Sequence, residues 1–178
     1  MSSDLLLFLV GVLLALGTGV FVGSEFALLN LDRADLEARR AKGEKGFSIT
    51  ISALKRTSTH LSSAQLGITL TTLLTGYTME PAISSMLSGP LTNAGLPEDF
   101  VRPVGGVLGI LLATFISMIF GELVPKNYAL SVPRQTARVL VPSVMAASAQ
   151  PASPHLLAAG ITLTVPRPPA FRAGARRS

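Results

Sequence analysis

The sequence has 178 residues, of which 48% are hydrophobic and only 14% are charged, with a net charge of +5 and no cysteine. A soluble domain typically has about 25% charged residues, so this composition argues against a soluble enzyme and fits one membrane-embedded domain. The lack of cysteine excludes disulfides and thiolate metal sites. The basic residues lie beside apolar segments, which favours a membrane over nucleic acid as the partner of the positive charge.

Three apolar segments are candidate membrane spans. Residues 5–24, 61–79 and 103–121 contain no Asp, Glu, Lys or Arg over 19 or 20 positions each. About 20 apolar residues in a helix cross a hydrocarbon core of about 30 Å. With their flanks, we place the spans at about 5–29, 61–79 and 103–123. The first lacks the basic start of a signal peptide and has a longer apolar core, so we interpret it as a retained span.

The distribution of basic residues predicts the orientation of these spans. Seven of the basic residues lie between the first two spans, whereas residues 80–100 contain no Lys or Arg. Basic residues again follow the third span, at Lys126, Arg134 and Arg138. Because basic residues favour the cytoplasmic side of a membrane, we expect a multi-pass protein of the plasma membrane, with its N-terminus outside and its C-terminus in the cytoplasm.

The segments between the spans contain helix and turn signals. A charged helix follows Leu31, with Asp32 as its cap and with Gly43 and Gly46 at its end. The external connection is predicted to be a loop over residues 80–100, rich in Pro and Gly, with a short helix at 82–87.

The region after the third span is predicted to be a helix and a tail. Residues 135–150 are mostly apolar with an interspersed basic residue, and they contain Pro142. This pattern fits a juxtamembrane amphipathic helix on the cytoplasmic surface better than a fourth span. Residues 151–178 end in a stretch rich in Pro and Arg, and we interpret them as a disordered or aberrant tail. The fold class is therefore an all-α membrane protein with three transmembrane helices and one juxtamembrane helix.

Two glutamates stand at the cytoplasmic ends of predicted spans. Ionisable residues at membrane depth are candidates for functional sites, which makes Glu25 and Glu122 the first residues to consider. Pro125 has no N–H, so in an α-helix it leaves the Gly121 carbonyl without a donor beside the Glu122 carboxylate. These two oxygens would suit magnesium. The alternative is that both glutamates are interfacial, and that Pro125 follows an ordinary helix end.

Polar and small residues complete the set of candidates. The second span contains eight Ser, Thr and Gln residues, of which Gln65 is the best candidate for a function and the others can bond to their own helix. Two Gly-x-x-x-Gly pairs, Gly19 with Gly23 and Gly105 with Gly109, suit close helix packing, within the chain or between two copies. The sequence contains no phosphate-binding loop, metalloprotease motif or nucleophile–histidine pair, so we expect no enzyme.

Three sequence blocks carry a family resemblance. They are Ser24-Glu-Phe-Ala-Leu-Leu-Asn-Leu-Asp-Arg-Ala-Asp-Leu-Glu, Leu61-Ser-Ser-Ala-Gln-Leu-Gly-Ile-Thr-Leu and Gly121-Glu-Leu-Val-Pro-Lys. In order and spacing, over about residues 5–150, they resemble the transmembrane (DUF21) domain of the CorC and cyclin M magnesium transporters, also described as hemolysin-C-like. The resemblance implies a homodimer with three spans per subunit and sodium-coupled efflux of magnesium or another divalent cation such as cobalt.

The resemblance also implies a set of ion ligands. Carried over residue by residue, these ligands come from all three spans: Thr18, Gln65, Gly67, Gly121 and Glu122. Some members have a further serine ligand in the first span, and Val22 stands at that position here. Supporting roles are implied for Ser24, Glu25, Ser63, Pro125 and Lys126. No resident cofactor is expected; Mg²⁺ would be the cargo and Na⁺ the coupling ion.

Full-length members of this family continue into a pair of CBS domains that binds adenine nucleotide, and no such region occurs in the 178 residues. We expect residues from about Val165 onward to come from a shifted or truncated reading frame. Two functions remain open at this stage. One is a divalent-cation transporter domain, and the other is a truncated, non-transporting membrane module or a partner subunit of full-length homologues. An intramembrane enzyme has little support.

Overall fold

The structure is a computed structural model that describes residues 3–148. Within this range every regular element is helical, and the elements follow one another with short connections: α1 Ser3–Leu29, α2 Arg33–Ala41, α3 Ser48–Lys55, α4 Thr57–Asn93, α5 Glu98–Ser117, a π-helical segment Met118–Leu123, α6 Val124–Ser131 and α7 Pro133–Ser148. The predicted tail, and the last two residues of the predicted juxtamembrane helix, lie outside the described residues.

The three long helices form a bundle in which α4 packs against both α1 and α5. Small residues permit the close approach. A Cβ atom on Gly11 would stand 2.9 Å from the Cβ atom of Met79, and one on Gly109 would stand 2.9 Å from the carbonyl oxygen of Glu80. The packing role predicted for the Gly105 and Gly109 pair is therefore confirmed within the chain, where glycine lets the backbones of α4 and α5 approach.

Helix α4 corrects the prediction for the external connection. The predicted loop over residues 80–100 is mostly helix, since α4 continues through Pro81 and Pro90 to Asn93 and leaves four residues before α5. Proline is tolerated inside such a helix where neighbouring helices, Ser or Thr side chains or local changes in helix geometry satisfy the carbonyl that it leaves free. The predicted short helix at 82–87 is a part of α4.

Two of the described helical stretches are long and apolar enough to cross a membrane, namely Ser3–Leu29 and the continuous run Glu98–Ser131. Helix α4 is longer than α1, but it is rich in Ser and Thr and is not apolar enough to count among the candidate spans. The second span, predicted at 61–79, therefore stays a prediction. Large apolar side chains are exposed along all three long helices, for example Leu13, Leu66 and Leu111, which is the surface that a lipid environment would cover.

The predicted charged helix is confirmed as α2. The Ala34 N–H donates to the Asp32 side chain at 2.8 Å, so Asp32 is the N-cap. Beyond its end, Gly43 and Gly46 have φ angles of 94° and 98°, which residues other than glycine rarely adopt. On its exposed face, a hydrogen bond from the Arg33 guanidinium holds the pKa of Glu37 below its usual value.

Helix α7 packs beneath the bundle. Its buried residues Ala137 and Val141 form a core cluster with Ala27 and Leu28 at the end of α1. Pro142 lies inside the helix without ending it. The helix occupies the predicted region, whereas its position along a membrane surface stays a prediction.

Candidate functional site

A cavity of about 960 Å³ lies between the three long helices. It is bounded by α1, α4, α5 and the π-helical segment, and most of its lining is apolar. The polar side chains that line it come from all of these elements: Thr18, Glu25, Gln65, Thr72, Glu80, Thr114, Ser117 and Glu122. An apolar cavity with a few converging polar groups is the usual form of a small-ligand site.

A hydroxyl–hydroxyl contact joins α1 to α4 at the wall of this cavity. Thr18 Oγ1 lies 2.7 Å from Thr71 Oγ1, and the Thr71 hydroxyl donates to the Gly67 carbonyl at 2.8 Å. Thr18 is only 4% exposed. These bonds hold Thr18 at a fixed position beside the cavity, where it acts as a donor and keeps both lone pairs of its oxygen available for a ligand.

The segment that contains Gly121 and Glu122 is a π-helix. The Val124 N–H donates to the Ile119 carbonyl, five residues back, in place of the α-helical four. Such π-bulges are rare and occur frequently at functional sites. Gly121 is buried here against α1, where a Cβ atom would stand 3.3 Å from the Ala15 carbonyl oxygen. The glycine therefore brings the π-helical backbone next to Thr18.

The π-helical register shifts the effect of the proline by one residue. The next bond in this register would run from residue 125 to the Phe120 carbonyl, and Pro125 has no N–H. The sequence had predicted this loss at Gly121, because it assumed α-helical bonding. The Pro125 ring and the Phe120 carbonyl oxygen instead press on α1, at 2.7 Å and 3.0 Å from the place of a Cβ atom on Gly19.

Three carboxylates line the cavity without a protein partner. Within residues 3–148, no hydrogen bond or ion pair engages the side chains of Glu25, Glu80 or Glu122. The same part of the chain contains no group of three or more His, Asp or Glu side chains that could hold a metal. A bound cation would therefore meet one or two carboxylates, and neutral oxygens would complete its coordination.

The structure brings together most of the ligand set that the resemblance implied. Thr18, Gln65, Gly121 and Glu122 all line the cavity, as does Glu25. Gly67 does not belong to the lining: a Cβ atom on it would stand 2.6 Å from the Phe21 ring, so its position serves helix packing.

The other predicted supporting residues lie around the cavity. The Ser63 hydroxyl donates to the Thr59 carbonyl of its own helix, and Pro125 packs on α1 as described. The Lys126 ammonium lies 4.7 Å from the centre of the Phe26 ring, a cation–π distance. Since Phe26 lines the cavity, this contact places a fixed positive charge near the Glu122 end.

Ser24 contacts a histidine that the sequence analysis had not connected to the site. Its hydroxyl lies 3.2 Å from His60 Nε2, and the exposed fractions of the two residues are 0% and 6%. The pair joins α1 to the start of α4. Ser24 therefore positions helices beside Glu25 and does not enter the cavity lining.

We expect Ser24→Ala to destabilise the fold by about 1–2 kcal/mol, because it leaves the buried His60 nitrogen without its partner. The measurement is the thermal unfolding midpoint of the detergent-purified protein. Ser63→Ala is the matched control, since its exposed hydroxyl bonds only to its own helix. Equal midpoints for the two variants would show that the pair adds nothing to stability.

Three polar lining residues were missed as site candidates by the sequence analysis, namely Glu80, Thr114 and Ser117. A helical-face pattern could have found them. Thr114, Ser117 and Gly121 are spaced three and four residues apart, which places them on one face of a helix. Glu80 continues the face of Gln65 on α4, but it had been assigned to a loop.

A family comparison and a search for relatives agree on the type of domain. The family model of the cyclin M transmembrane N-terminal domain matches residues 9–149. The UPF0053 protein MT1890 of Mycobacterium tuberculosis is 41% identical over 128 residues, which cover 72% of this chain and 28% of that protein. The UPF0053 protein YhdT of Bacillus subtilis is 35% identical over 129 residues, covering 72% and 28%.

A third relative, the uncharacterized protein Rv1841c of M. tuberculosis, is 34% identical over 134 residues, covering 75% of this chain and 38% of that protein. The chain thus spans between 28% and 38% of the length of these three relatives. The matched part is the helical bundle with its cavity.

Proposed function

Because the chain belongs to the family of the cyclin M transmembrane N-terminal domain, we propose that it is a membrane module that moves a divalent cation through the cavity. Magnesium is the proposed cargo, with cobalt as a second ion of the same charge. The observation that carries the proposal is that Thr18, Gln65 and Glu122, from three different helical elements, line one cavity, with Glu122 in the π-helical segment.

The chemistry of the lining supports a hydrated magnesium ion. Mg²⁺ prefers oxygen ligands, gives up its waters reluctantly and is usually held by one or two carboxylates. The cavity offers Glu122 and Glu25 with neutral oxygens from Thr18 and Gln65. A water occupies about 30 Å³ in the liquid, so a volume of about 960 Å³ has room for an ion with its remaining hydration shell.

The remaining parts of the proposal concern the whole assembly. We infer a homodimer in the plasma membrane. We place its N-terminus outside and its C-terminus in the cytoplasm, because basic residues follow Glu25 and Glu122 in the sequence. We further infer efflux that is coupled to sodium entry.

Magnesium flux in proteoliposomes tests the function. The purified chain is reconstituted with a fluorescent Mg²⁺ indicator inside, and sodium gradients of both signs are applied. Flux that depends on protein and reverses with the sodium gradient is expected. A folded, reconstituted protein that gives no flux above that of empty liposomes would contradict the proposal.

A second candidate function is a non-transporting membrane module or partner subunit. The observation in its favour is Val22, an apolar residue in the cavity lining where the family resemblance implies a serine ligand. With one oxygen ligand fewer, the cavity would bind a cation more weakly.

Val22→Ser distinguishes the two candidates. We expect the added hydroxyl to raise the apparent affinity for Mg²⁺ about 2- to 10-fold, because this factor corresponds to the net free energy of one ordinary hydrogen bond. The measurement is the Mg²⁺ concentration for half-maximal flux. Val20→Ser is the control, because Val20 lies on the same helix and lines a different groove. If Val22→Ser creates flux in a protein that otherwise has none, the non-transporting candidate describes the natural chain.

A further inference from the structure

Glu80 lies deeper in the helix bundle than its place in the sequence suggests. Its neighbour Met79 is fully buried and contacts Gly11, which is eight residues beyond Ser3 at the start of α1. At about 1.5 Å per residue, this is about 12 Å into the helix. The Glu80 side chain is therefore at the level of the bundle, about two helical turns from the start of α1.

The carboxylate of Glu80 faces the cavity and has no partner in the protein. It is partly buried, it lines the cavity, and its Oε1 atom lies 3.9 Å from the place of a Cβ atom on Gly106 of α5. No Lys, Arg or His side chain among residues 3–148 forms an ion pair with it. A carboxylate inside a bundle is costly unless it is paired or serves an ion pathway.

The two ends of the cavity carry separate carboxylates. The Glu80 carboxylate lies beside Gly106 of α5, and Glu122 follows Gly106 by sixteen residues in the continuous run Glu98–Ser131, so roughly 20 Å of helix separates the two carboxylates. The cavity wall between them carries hydroxyl groups from three helices: Thr18, Thr72, Thr114 and Ser117. Two carboxylates at such a distance cannot bind one ion together.

We propose that Glu80 is the ligand of a second binding position for a hydrated divalent cation, at the end of the cavity opposite to Glu122. This proposal rests on the proposed function and deepens it: the ion would pass from the Glu122 end, along the hydroxyl groups, to Glu80 before release. One carboxylate with neutral oxygens and retained waters is an arrangement that Mg²⁺ accepts.

Counting bound ions tests the proposal. The full chain in detergent is titrated with Mn²⁺ as a paramagnetic substitute for Mg²⁺, and free Mn²⁺ is measured by electron paramagnetic resonance. We expect two Mn²⁺ ions per chain in the natural protein and one in Glu80→Gln. We likewise expect one in Glu122→Gln and none in the double variant. Glu98→Gln is the matched control, because Glu98 lies in the exposed first turn of α5, outside the cavity lining, and two ions are expected.

The outcomes separate this inference from the proposed function. A Glu80→Gln protein that binds as many ions as Glu98→Gln overturns the inference. If Glu80→Gln loses one ion while Glu122→Gln keeps both, the Glu80 position stands and the site proposed at Glu122 fails. A natural chain that binds no ion overturns both. Glu80→Asp, which keeps the charge, should restore binding, and this excludes misfolding as the cause of a loss.

Discussion

Replacement of Glu122 by glutamine is expected to lower the apparent Mg²⁺ affinity at least 10- to 100-fold and to remove measurable flux at millimolar Mg²⁺. Glutamine has nearly the shape of glutamate, so the π-helical segment should keep its fold while the cavity loses a negative charge. Substitution of residues that only support metal ligands already costs about 10- to 100-fold in affinity, and a direct ligand should cost at least as much.

The measurement is flux in proteoliposomes at a series of Mg²⁺ concentrations. Glu98→Gln is the control for loss of one acidic residue from the same run of helix, since Glu98 begins α5 and lies outside the cavity lining. Glu122→Asp should retain part of the flux because the charge remains. Flux from Glu122→Gln equal to that from Glu98→Gln would remove Glu122 from the ion site.

The apolar segments and the charged helix were predictable because each depends on a local pattern. Asp32 caps α2 in the structure as its position before a charged helix predicts. Gln65 and Glu122 line the same cavity, and their roles as ion ligands stay predictions. The second span, the dimer and the orientation depend on a membrane and a second copy, and they stay predictions.

The length of α4 was misjudged because prolines were given too much weight. Pro81 and Pro90 lie inside the helix. The true end is a Schellman motif, in which the Gly95 N–H bonds to the Thr92 carbonyl and the Leu96 N–H to the Leu91 carbonyl, with Gly95 at a φ of 86°. Gly95 followed two residues later by a proline is a signal for that end which the sequence did contain. The error placed Glu80 in a loop.

The π-helix was beyond prediction because its cause is tertiary. A proline four residues after a glycine predicts only that one backbone bond is missing. Which carbonyl loses its donor depends on how closely the segment packs on α1, and that distance is set by Gly19 and Gly121 from two different helices. The pair Gly19 and Gly23 thus serves contacts within one chain, to Pro125 and to Leu140 of α7.

Substitution of Gly19 by alanine is expected to destabilise the protein by about 1–3 kcal/mol, the usual cost of overpacking, and to lower flux together with it. The new methyl group would stand 2.7 Å from the Pro125 ring and 3.0 Å from the Phe120 carbonyl oxygen. Neither group can rotate away, so α1 and the π-helical segment must separate, and Thr18 would move from Gly121 and Glu122. Gly17→Ala is the matched control, because a Cβ atom there meets only the Thr71 methyl at 3.9 Å. The thermal midpoint in detergent and the Mg²⁺ flux check both effects. If Gly19→Ala is as stable and as active as Gly17→Ala, close contact between α1 and the π-helical segment is not what holds the cavity in its transporting form.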